Sequence, residues 1–394
     1  MVQQQTYQSL DPAQKRLRLR ELAIAFLKLG VFAFGGPAAH VAMMDDEVVK
    51  RHQWLSREKF LDLIGITNLI PGPNSTELAI HIGYERGGWR GLLIAGCCFI
   101  LPATLIVWVL AVIYVQSQSL PQVGWLLYGV KPVIIAVVLQ ALWKLGKTAI
   151  KDRPTAIATF LVVLFSWWRF SEILLLLLAG LGVMLIKNRR SSGFSAALLR
   201  VPLLLQVAPS STLWAMSGVN IFLTFLKIGS VLYGSGYVLL AFLQREFLER
   251  SPVLTSQQIL DAVAIGQITP GPVFTTATFV GYLLGGNGGA IAATVGIFLP
   301  AFVLVALVNP WVDQLRQSRW VSGFLDGVNA ASLGLMAVVT VQLGQSGIVD
   351  GWTGAIALIS GVLLLRFKVN SAALVIAGGI IGFLLHLIVP GAVN

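Results

Sequence analysis

The stretch LIPGPNSTELA, residues 69–79, places two prolines around a glycine in a chain that is otherwise strongly apolar. A second stretch, ITPGPVFTTAT at residues 268–278, repeats the Pro-Gly-Pro arrangement 199 residues later. Proline cannot continue a helix behind it, and glycine loosens the backbone, so each stretch predicts a break in a helix. The sequence therefore predicts two matching helix breaks, one in each half of the chain.

The composition identifies the environment of these breaks. The 394 residues are 56% hydrophobic and only 11% charged, with a mean hydropathy of +0.80, whereas a soluble domain carries roughly 25% charged residues. Apolar stretches such as 92–115, 290–308 and 372–389 reach the ~20 residues that a helix needs to cross a bilayer. We predict an all-α polytopic protein embedded in membrane lipid, with about 13 segments, some of them re-entrant or broken.

Several classes of function are excluded by what the chain lacks. The net charge is +11, but the basic residues cluster in loops and are not interleaved with aromatic residues, so no nucleic-acid partner is expected. No phosphate-binding loop, HExxH, GxSxG or Cys/His set is present, and Cys97 and Cys98 are helix neighbours that point apart. We therefore expect no enzyme, metal or cofactor. The polar N-terminus with KRLRLRE predicts a cytoplasmic tail.

An internal repeat divides the chain. FLKLG at 26–30 recurs as FLKIG at 225–229, and LPA at 101–103 recurs at 299–301. The predicted organisation is an N-terminal domain at 1–190, a linker at 191–211, and a homologous C-terminal domain at 212–394.

Basic residues occupy the loops of the two halves in opposite phase. The loop near 116–124 has no Lys or Arg, whereas its counterpart holds Arg316 and Arg319; the next loop carries four basic residues at 144–153, whereas residues 344–351 carry none. Basic loops face the cytoplasm, so equivalent loops are predicted on opposite sides of the membrane. This inverted topology requires one additional crossing, for which residues 195–208 are the candidate.

Both breaks are candidate binding sites. Inverted-repeat membrane proteins often place half-helix N-termini near the midplane, where free N–H groups and the helix dipole suit an oxyanion. Asn74 and Glu77 could form a capping box, or hydroxyls near the break could face the cavity. Alternatively, each break is only a kink that packs helices. The candidate binding residues are Pro71, Gly72, Pro73, Asn74, Ser75, Thr76, Pro270, Gly271, Pro272 and Thr275.

Ionisable residues in apolar segments are costly and therefore often functional. Lys28 and Lys227 occupy equivalent positions and could attract a dianion or extend to the membrane interface. Glu77 and His81 lie one turn apart and could relay protons, unless Glu77 is only a cap. For the matched acids we expect gates or structural anchors that pair with nearby Arg and Lys; these are Glu47, Glu246, Asp62 and Asp261.

The motifs resemble those of the chromate ion transporter (CHR) family over nearly the whole chain. FGGPAAHVAMMDDEVV and the first PGP segment are similar to its N-terminal domain, and LYGSGYVLLAFLQREFL with the second PGP segment to its C-terminal domain. The resemblance adds Gly35, Gly36, Pro37, Gly234 and Gly236 to the signature. The four glycines among them, together with Asn68 and Gln267 before the two PGP motifs, are also candidate binding residues. The chain departs from the family pattern at Asn68 and Glu77, where glutamines are usual, and at Ser235.

The resemblance implies a two-domain protein of the bacterial inner membrane that exports chromate, driven by the proton motive force, and thereby confers chromate resistance. Chromate and sulfate are both tetrahedral dianions, so a transporter of sulfate or another oxyanion is the alternative, and a passive anion channel is a second. Assembly as a homodimer is left open.

Overall fold

Two sets of seven helices follow one another in the computed structural model, which describes residues 7, 10–34, 36–67, 70–117, 121–168, 170–188, 217–233, 238–309, 318–367 and 369–388. The first set comprises α1 (Pro12–Phe32), α2 (Pro37–Met44), α3 (Arg57–Thr67), α4 (Asn74–Ser117), α5 (Pro121–Ala149), α6 (Arg153–Trp167) and α7 (Glu172–Asn188). The second comprises α8 (Gly218–Val231), α9 (Leu239–Gln244), α10 (Ser256–Ile268), α11 (Thr276–Val308), α12 (Arg319–Gly347), α13 (Gly351–Arg366) and α14 (Ser371–Ile388). The predicted all-α architecture is confirmed.

Local signals recur at equivalent positions in the two sets. Helices α2 and α9 each run into a π-helical turn, Asp45–Arg51 and Arg245–Arg250. Helices α6 and α13 each begin with an Asp–Thr capping box, in which the side chains satisfy N–H groups that the first helical turn leaves unpaired. The repeat seen in the sequence is therefore a repeat of structure, element by element.

Helices α4 and α11 are hairpins rather than straight rods. Gly87 and Gly88 leave the helical conformation, with φ = +59° at Gly88, and a Cβ on Gly83 would lie 2.3 Å from the carbonyl oxygen of Gly91. Residues eight apart in a straight helix are separated by about 12 Å, so the chain must fold back. We call the limbs α4a (74–86) and α4b (89–117). Gly285 and Gly286 break α11 in the same way, giving limbs α11a (276–284) and α11b (287–308).

Each PGP turn lies at the tip of a re-entrant hairpin. Lys59 near the start of α3 pairs with Glu85 near the end of α4a at 3.1 Å. The chain therefore enters along α3, turns at the PGP and returns along α4a to the end from which it came. α1 and α2 form a second hairpin, since Lys28 of α1 reaches Glu47, just beyond α2, at 3.1 Å.

The helices form two bundles, and each bundle draws on both repeats. The core bundle contains α1–α4 and α8–α11, in which α1 packs on α4, α8 on α11, and α4 on α11. The scaffold bundle contains α5–α7 and α12–α14, in which α5 packs on α13 and α14 of the other repeat, and α12 on α6 and α7. The long fifth helix of each repeat, α5 or α12, thus packs against helices of the other repeat. The two domains predicted from the sequence are therefore not separate bodies in space.

Ion pairs show that the repeats begin at opposite ends of the molecule. The first repeat starts at what we call the first end, where Glu21 of α1 pairs with Arg86 at the end of α4a. Helices α4b, α5, α6 and α7 then traverse the molecule four times, so α7 begins at the second end and finishes at the first. Glu172 at the start of α7 pairs with Arg245 of the second repeat, which places the start of that repeat at the second end. This is the predicted inverted arrangement.

Five of the described helices, α4, α5, α11, α12 and α14, are long and apolar enough to cross a membrane, and α6, α8 and α13 are shorter apolar helices. The chain is thus a multi-pass membrane protein. The predicted extra crossing at 195–208 lies outside the described residues. The residues that flank the gap, Asn188 and Ser217, lie at opposite ends of the molecule.

Candidate functional site

The two PGP turns join the repeats at the centre of the core bundle. The N–H of Gly72 donates to the carbonyl of Leu232 at 2.8 Å, and the N–H of Gly271 donates to the carbonyl of Ala33 at 2.9 Å. Leu232 is the counterpart of Ala33 and Gly271 that of Gly72, so the two bonds are exchanged as a twofold axis would exchange them. A Cβ on Gly271 would lie 2.7 Å from that of Ala103, midway along α4b. The turns therefore meet halfway between the two ends.

Glycine is required in both turns by the backbone itself. Gly72 has φ = +143° and Gly271 has φ = +82°, conformations that side chains with a Cβ rarely adopt. The prediction of free N–H groups needs correction at these two residues. Their N–H groups are consumed in the bonds between repeats, so an anion would have to use donors further along each turn.

The predicted capping box of Asn74 and Glu77 is wrong. Pro73 occupies the cap position of α4, where its carbonyl accepts the N–H groups of Thr76 and Glu77 at 2.7 and 3.1 Å. A capping box needs an N–H on the cap residue to receive the glutamate, and proline has none. The Glu77 side chain instead turns back over Gly72, with Oε1 2.4 Å from where a Cβ of Gly72 would stand.

Glu77 is consequently the most exceptional group of the site. Its side chain is fully buried, and among the residues that the structure describes neither carboxylate oxygen has a hydrogen-bond partner. An isolated buried carboxylate is strongly unfavourable when ionised, and buried charges are normally paired or neutralised. The buried hydroxyl of neighbouring Thr76 also lacks a partner in the described part of the chain.

His40 supports the first turn. Its Nδ1 lies 3.2 Å from Ser75 Oγ and its Nε2 lies 3.1 Å from the Ala33 carbonyl, the same carbonyl that accepts Gly271. The ring also meets Phe99 edge-on, with centroids 5.7 Å apart. His40 thus connects the FGGP break after α1, the first PGP turn and the turn of the other repeat.

The second turn is lined by buried hydroxyls rather than by an acid. The Thr275 and Thr276 hydroxyls donate to the carbonyls of Pro272 and Val273 at 2.8 Å. Thr278 of α11a bonds to Thr294 of α11b at 2.7 Å, and Gln267 is buried at the end of α10. The two turns therefore have equivalent backbones but different side chains, with a carboxyl group at the first turn and hydroxyl groups at the second.

Four of the ionisable residues predicted from sequence come together as two equivalent ion pairs. Lys28 lies 3.1 Å from Glu47 and Lys227 lies 2.8 Å from Glu246. Both acids also pair with an arginine one turn on, Arg51 or Arg250. These contacts agree with the expected pairing of Glu47 and Glu246. Because the lysine charges are paired with carboxylates, we do not assign Lys28 or Lys227 to anion binding.

The other predicted residues are placed as follows. His81 is buried on α4a, with Nδ1 3.3 Å from Asn309 Oδ1. Asp62 is partly exposed on α3, whereas its counterpart Asp261 is fully buried and accepts a bond from Tyr114 at 2.8 Å rather than an ion pair. Four candidates lie outside the described residues, namely Gly35, Asn68, Gly234 and Gly236.

Sequence reasoning missed His40 and Tyr233. The four histidines show no ligand spacing, so only the position of His40 three residues after the FGGP break could have indicated it. Tyr233 is half-buried beside Leu232, whose carbonyl accepts the N–H of Gly72 in the first turn. The sequence feature that could have indicated Tyr233 is likewise its position beside a glycine-rich helix break.

Together, the inverted repeats, the re-entrant hairpins and the central polar site define a membrane protein of the transporter class. The family described as Chromate transporter matches residues 20–184 and 219–383, and this chain belongs to that family. It is 32% identical over 372 residues to the chromate transport protein of Cupriavidus metallidurans, covering 91% of each chain. It is 30% identical over 386 residues to that of Pseudomonas aeruginosa, covering 92% of each.

One shorter relative matches a single repeat. The uncharacterized transporter YwrA of Bacillus subtilis is 35% identical over 130 residues, 33% of this chain and 73% of that protein. No solved structure matches the chain. These relatives are named as transport proteins, in keeping with the missing enzyme motifs.

Proposed function

We propose that this protein exports chromate across the inner membrane of a bacterium and thereby protects the cell, with the dianion bound between the two PGP turns. The observation that carries the proposal is the meeting of two re-entrant hairpin tips from opposite ends at one buried centre. Half-helix N-termini start there from both repeats, and their dipoles favour a negative charge.

The driving force follows from the charge of the substrate. A cell interior is negative, and moving a dianion outward releases about 4.6 kcal/mol per 100 mV, twice the value for one charge. The electrical part of the proton motive force is thus sufficient for export. No exchanged proton is required, although one can accompany the anion.

Glu77 decides whether a proton takes part. An ionised carboxylate in this buried turn would repel a dianion, and no described residue offers it a hydrogen bond. We propose that Glu77 is neutral whenever the anion is bound and that it donates a hydrogen bond to an anion oxygen. At a pH high enough to ionise Glu77 in the empty site, binding then takes up a proton, with buried His81 one turn away as its route from the first end.

A carrier is favoured over a passive channel because the centre is sealed. Ser75, Thr76, Glu77, Thr275 and Thr276 are all buried, so within the described part of the chain no open path runs past these side chains. Sulfate is the competing substrate, since donors at a helix end recognise the tetrahedral dianion that both species share.

The test is transport by purified protein in liposomes, with voltage and pH gradient imposed separately. We expect labelled chromate to move toward the positive compartment, with a rate set by voltage, and to saturate. Preference for labelled sulfate would assign the site to the second candidate. Flux that grows linearly with chromate would indicate a channel and contradict the proposal.

A further inference from the structure

The two ends of the molecule are in different states, although the repeats are equivalent. At the second end, α9 and α10 pack against the scaffold helices α5, α12 and α14. At the first end, their counterparts α2 and α3 pack within their own repeat, on α1 and α4. All six residues of α9 are buried, whereas α2 is mostly half-buried. Among the described residues, the core and scaffold bundles are thus closed on one another at the second end and parted at the first, where α2 and α3 make no comparable contacts with the scaffold.

The closed end is held by a cluster of charges around Glu172, at the start of α7. Its carboxylate lies 2.5 Å from Arg245 Nε and 3.5 Å from Arg250, and Arg245 also donates to the carbonyl of Phe170. The Glu172 side chain is only 5% exposed. Wherever both partners are described, every ion pair between core and scaffold involves Glu172. Beside it Gln244 of the core donates to Gln342 of the scaffold at 2.6 Å.

The same positions at the first end hold different residues. Gln342 corresponds to Lys144 of α5, and Gln244 corresponds to Asp45 at the end of α2. Lys144 is exposed, and Asp45 pairs within the core with Arg57 at 2.5 Å. By the pseudo-twofold symmetry, Lys144 and Asp45 face one another across the parted interface. This pair has opposite charges, whereas the equivalent pair at the closed end consists of two amides.

A cavity of about 330 Å³ adjoins the closed contacts. Core and scaffold both line it, through Ala241, Arg245 and Glu249 on one side and Glu172, Leu335 and Gln342 on the other. Closure at this end therefore combines these polar contacts with apolar packing, since Phe242 of α9 and Leu260 of α10 share one hydrophobic cluster with Leu343 of α12.

We propose that the Glu172 cluster is a gate, and that the molecule alternates by exchanging it for a contact between Lys144 and Asp45 at the first end. In inverted-repeat proteins each repeat can adopt the arrangement of the other, which opens one end as the opposite end closes. This proposal gives α5 and α7 a role in opening and closing the two ends, in addition to the central binding site proposed above. It does not depend on which anion is carried.

Disulfide trapping at the two equivalent pairs tests the gate without any substrate. In full-length protein with Cys97→Ala and Cys98→Ala, one variant carries Gln244→Cys with Gln342→Cys, and another carries Asp45→Cys with Lys144→Cys. We expect the 244–342 pair to cross-link rapidly at rest and the 45–144 pair slowly. Equal rates for the two pairs would show that the ends do not differ and would overturn the proposal.

Weakening the gate should then shift the balance between the ends. Adding Glu172→Gln should raise the 45–144 cross-linking rate at least about tenfold and lower the 244–342 rate, because the buried pair stabilises closure of the second end. Glu249→Gln removes a carboxylate from the same cavity without touching the ion pair and should change neither rate. Unchanged rates with Glu172→Gln would refute the gate.

Arg250→Gln is the variant to use if Glu172→Gln does not accumulate. Arg250 is more exposed than Arg245, so a smaller shift in the same direction is expected, and no shift would count against the gate. Since chromate is absent throughout, failure here is separable from failure of chromate transport.

Discussion

At the scale of single residues, Glu77 is one of the positions at which this chain departs from its family pattern. It stands where the family usually has glutamine, and the tertiary structure leaves its carboxylate buried without a hydrogen bond in the described residues. A neutral carboxyl resembles glutamine in size and in its ability to donate. Under the proposed function, this departure keeps a hydrogen-bond donor at the anion site and adds one exchangeable proton.

Replacing Glu77 by glutamine should separate anion binding from proton uptake. We expect Glu77→Gln to retain chromate affinity within about threefold, because the neutral form is the binding form, and to lose the proton taken up on binding. The measurement is the pH change when chromate is added to weakly buffered protein, at a pH above that at which the free anion binds protons and high enough to ionise Glu77 in the empty site. Glu58→Gln, exposed on α3, is the control; undiminished uptake in Glu77→Gln would exclude the proposed role.

Gly72 and Gly271 have a backbone role that alanine cannot fill. Positive φ costs about 1–3 kcal/mol for a residue with a Cβ, and a Cβ on Gly72 would displace the Glu77 carboxylate. We expect Gly72→Ala and Gly271→Ala to reduce vesicle transport at least about tenfold, at unchanged membrane levels. Gly65→Ala in α3, where a Cβ meets nothing within 4 Å, should keep full transport; similar losses in all three would refute a specific role for the turns.

At the scale of elements, α5 and α12 each pack against helices of the other repeat, and this packing depends on close helix crossings. A Cβ on Gly129 of α5 would lie 2.0 Å from the carbonyl oxygen of Gly378 in α14, and its counterpart Gly327 would meet Ala179 of α7 at 2.3 Å. Backbone atoms cannot rotate away as side chains can. Small residues thus allow the repeats to interlock, as they do in other membrane helix pairs.

Gly129→Ala should therefore destabilise the scaffold bundle by about 1–3 kcal/mol through overpacking. The fraction of monodisperse protein left after heating in detergent measures the effect. Gly124→Ala, in the same helix but with open space around it, is the matched control and should not lower stability. If both variants melt together, the crossing at Gly129 is not what holds α5 in place.

At the scale of the whole molecule, charge and topology agree. The first end carries the basic positions near the ends of α5, α7 and α13, including Lys147, Lys151, Lys187 and Arg366, whereas the turn between α12 and α13 at the second end has none. By the positive-inside rule we expect the first end to be cytoplasmic, with the described start of α1 on that side. The parted interface would then face the cytoplasm, and the proposed Glu172 gate would face outward.

Equivalent positions should consequently label from opposite sides. Thr148 at the end of α5 and Ser346 at the end of α12 are counterparts, and both are exposed. With the native cysteines replaced by alanine, Ser346→Cys should react with a membrane-impermeant thiol reagent in intact spheroplasts, and Thr148→Cys only in inverted vesicles. Labelling of both from one side would contradict the inverted topology.

What the sequence determined by itself was everything encoded locally or by repetition. Composition indicated a membrane chain, PGP indicated helix breaks because proline and glycine act on their own backbone, and the 199-residue offset with opposite loop charges indicated inverted repeats. Neither Glu77 turning back over Gly72 nor the bonds from Gly72 to Leu232 and from Gly271 to Ala33 follow from such patterns. The placement of α5 and α12 against the other repeat, and the closure of one end only, were likewise decided by tertiary packing. These features join residues that are far apart in the chain. A local sequence pattern indicates which face of a segment is buried, but it does not indicate which other segment packs against that face.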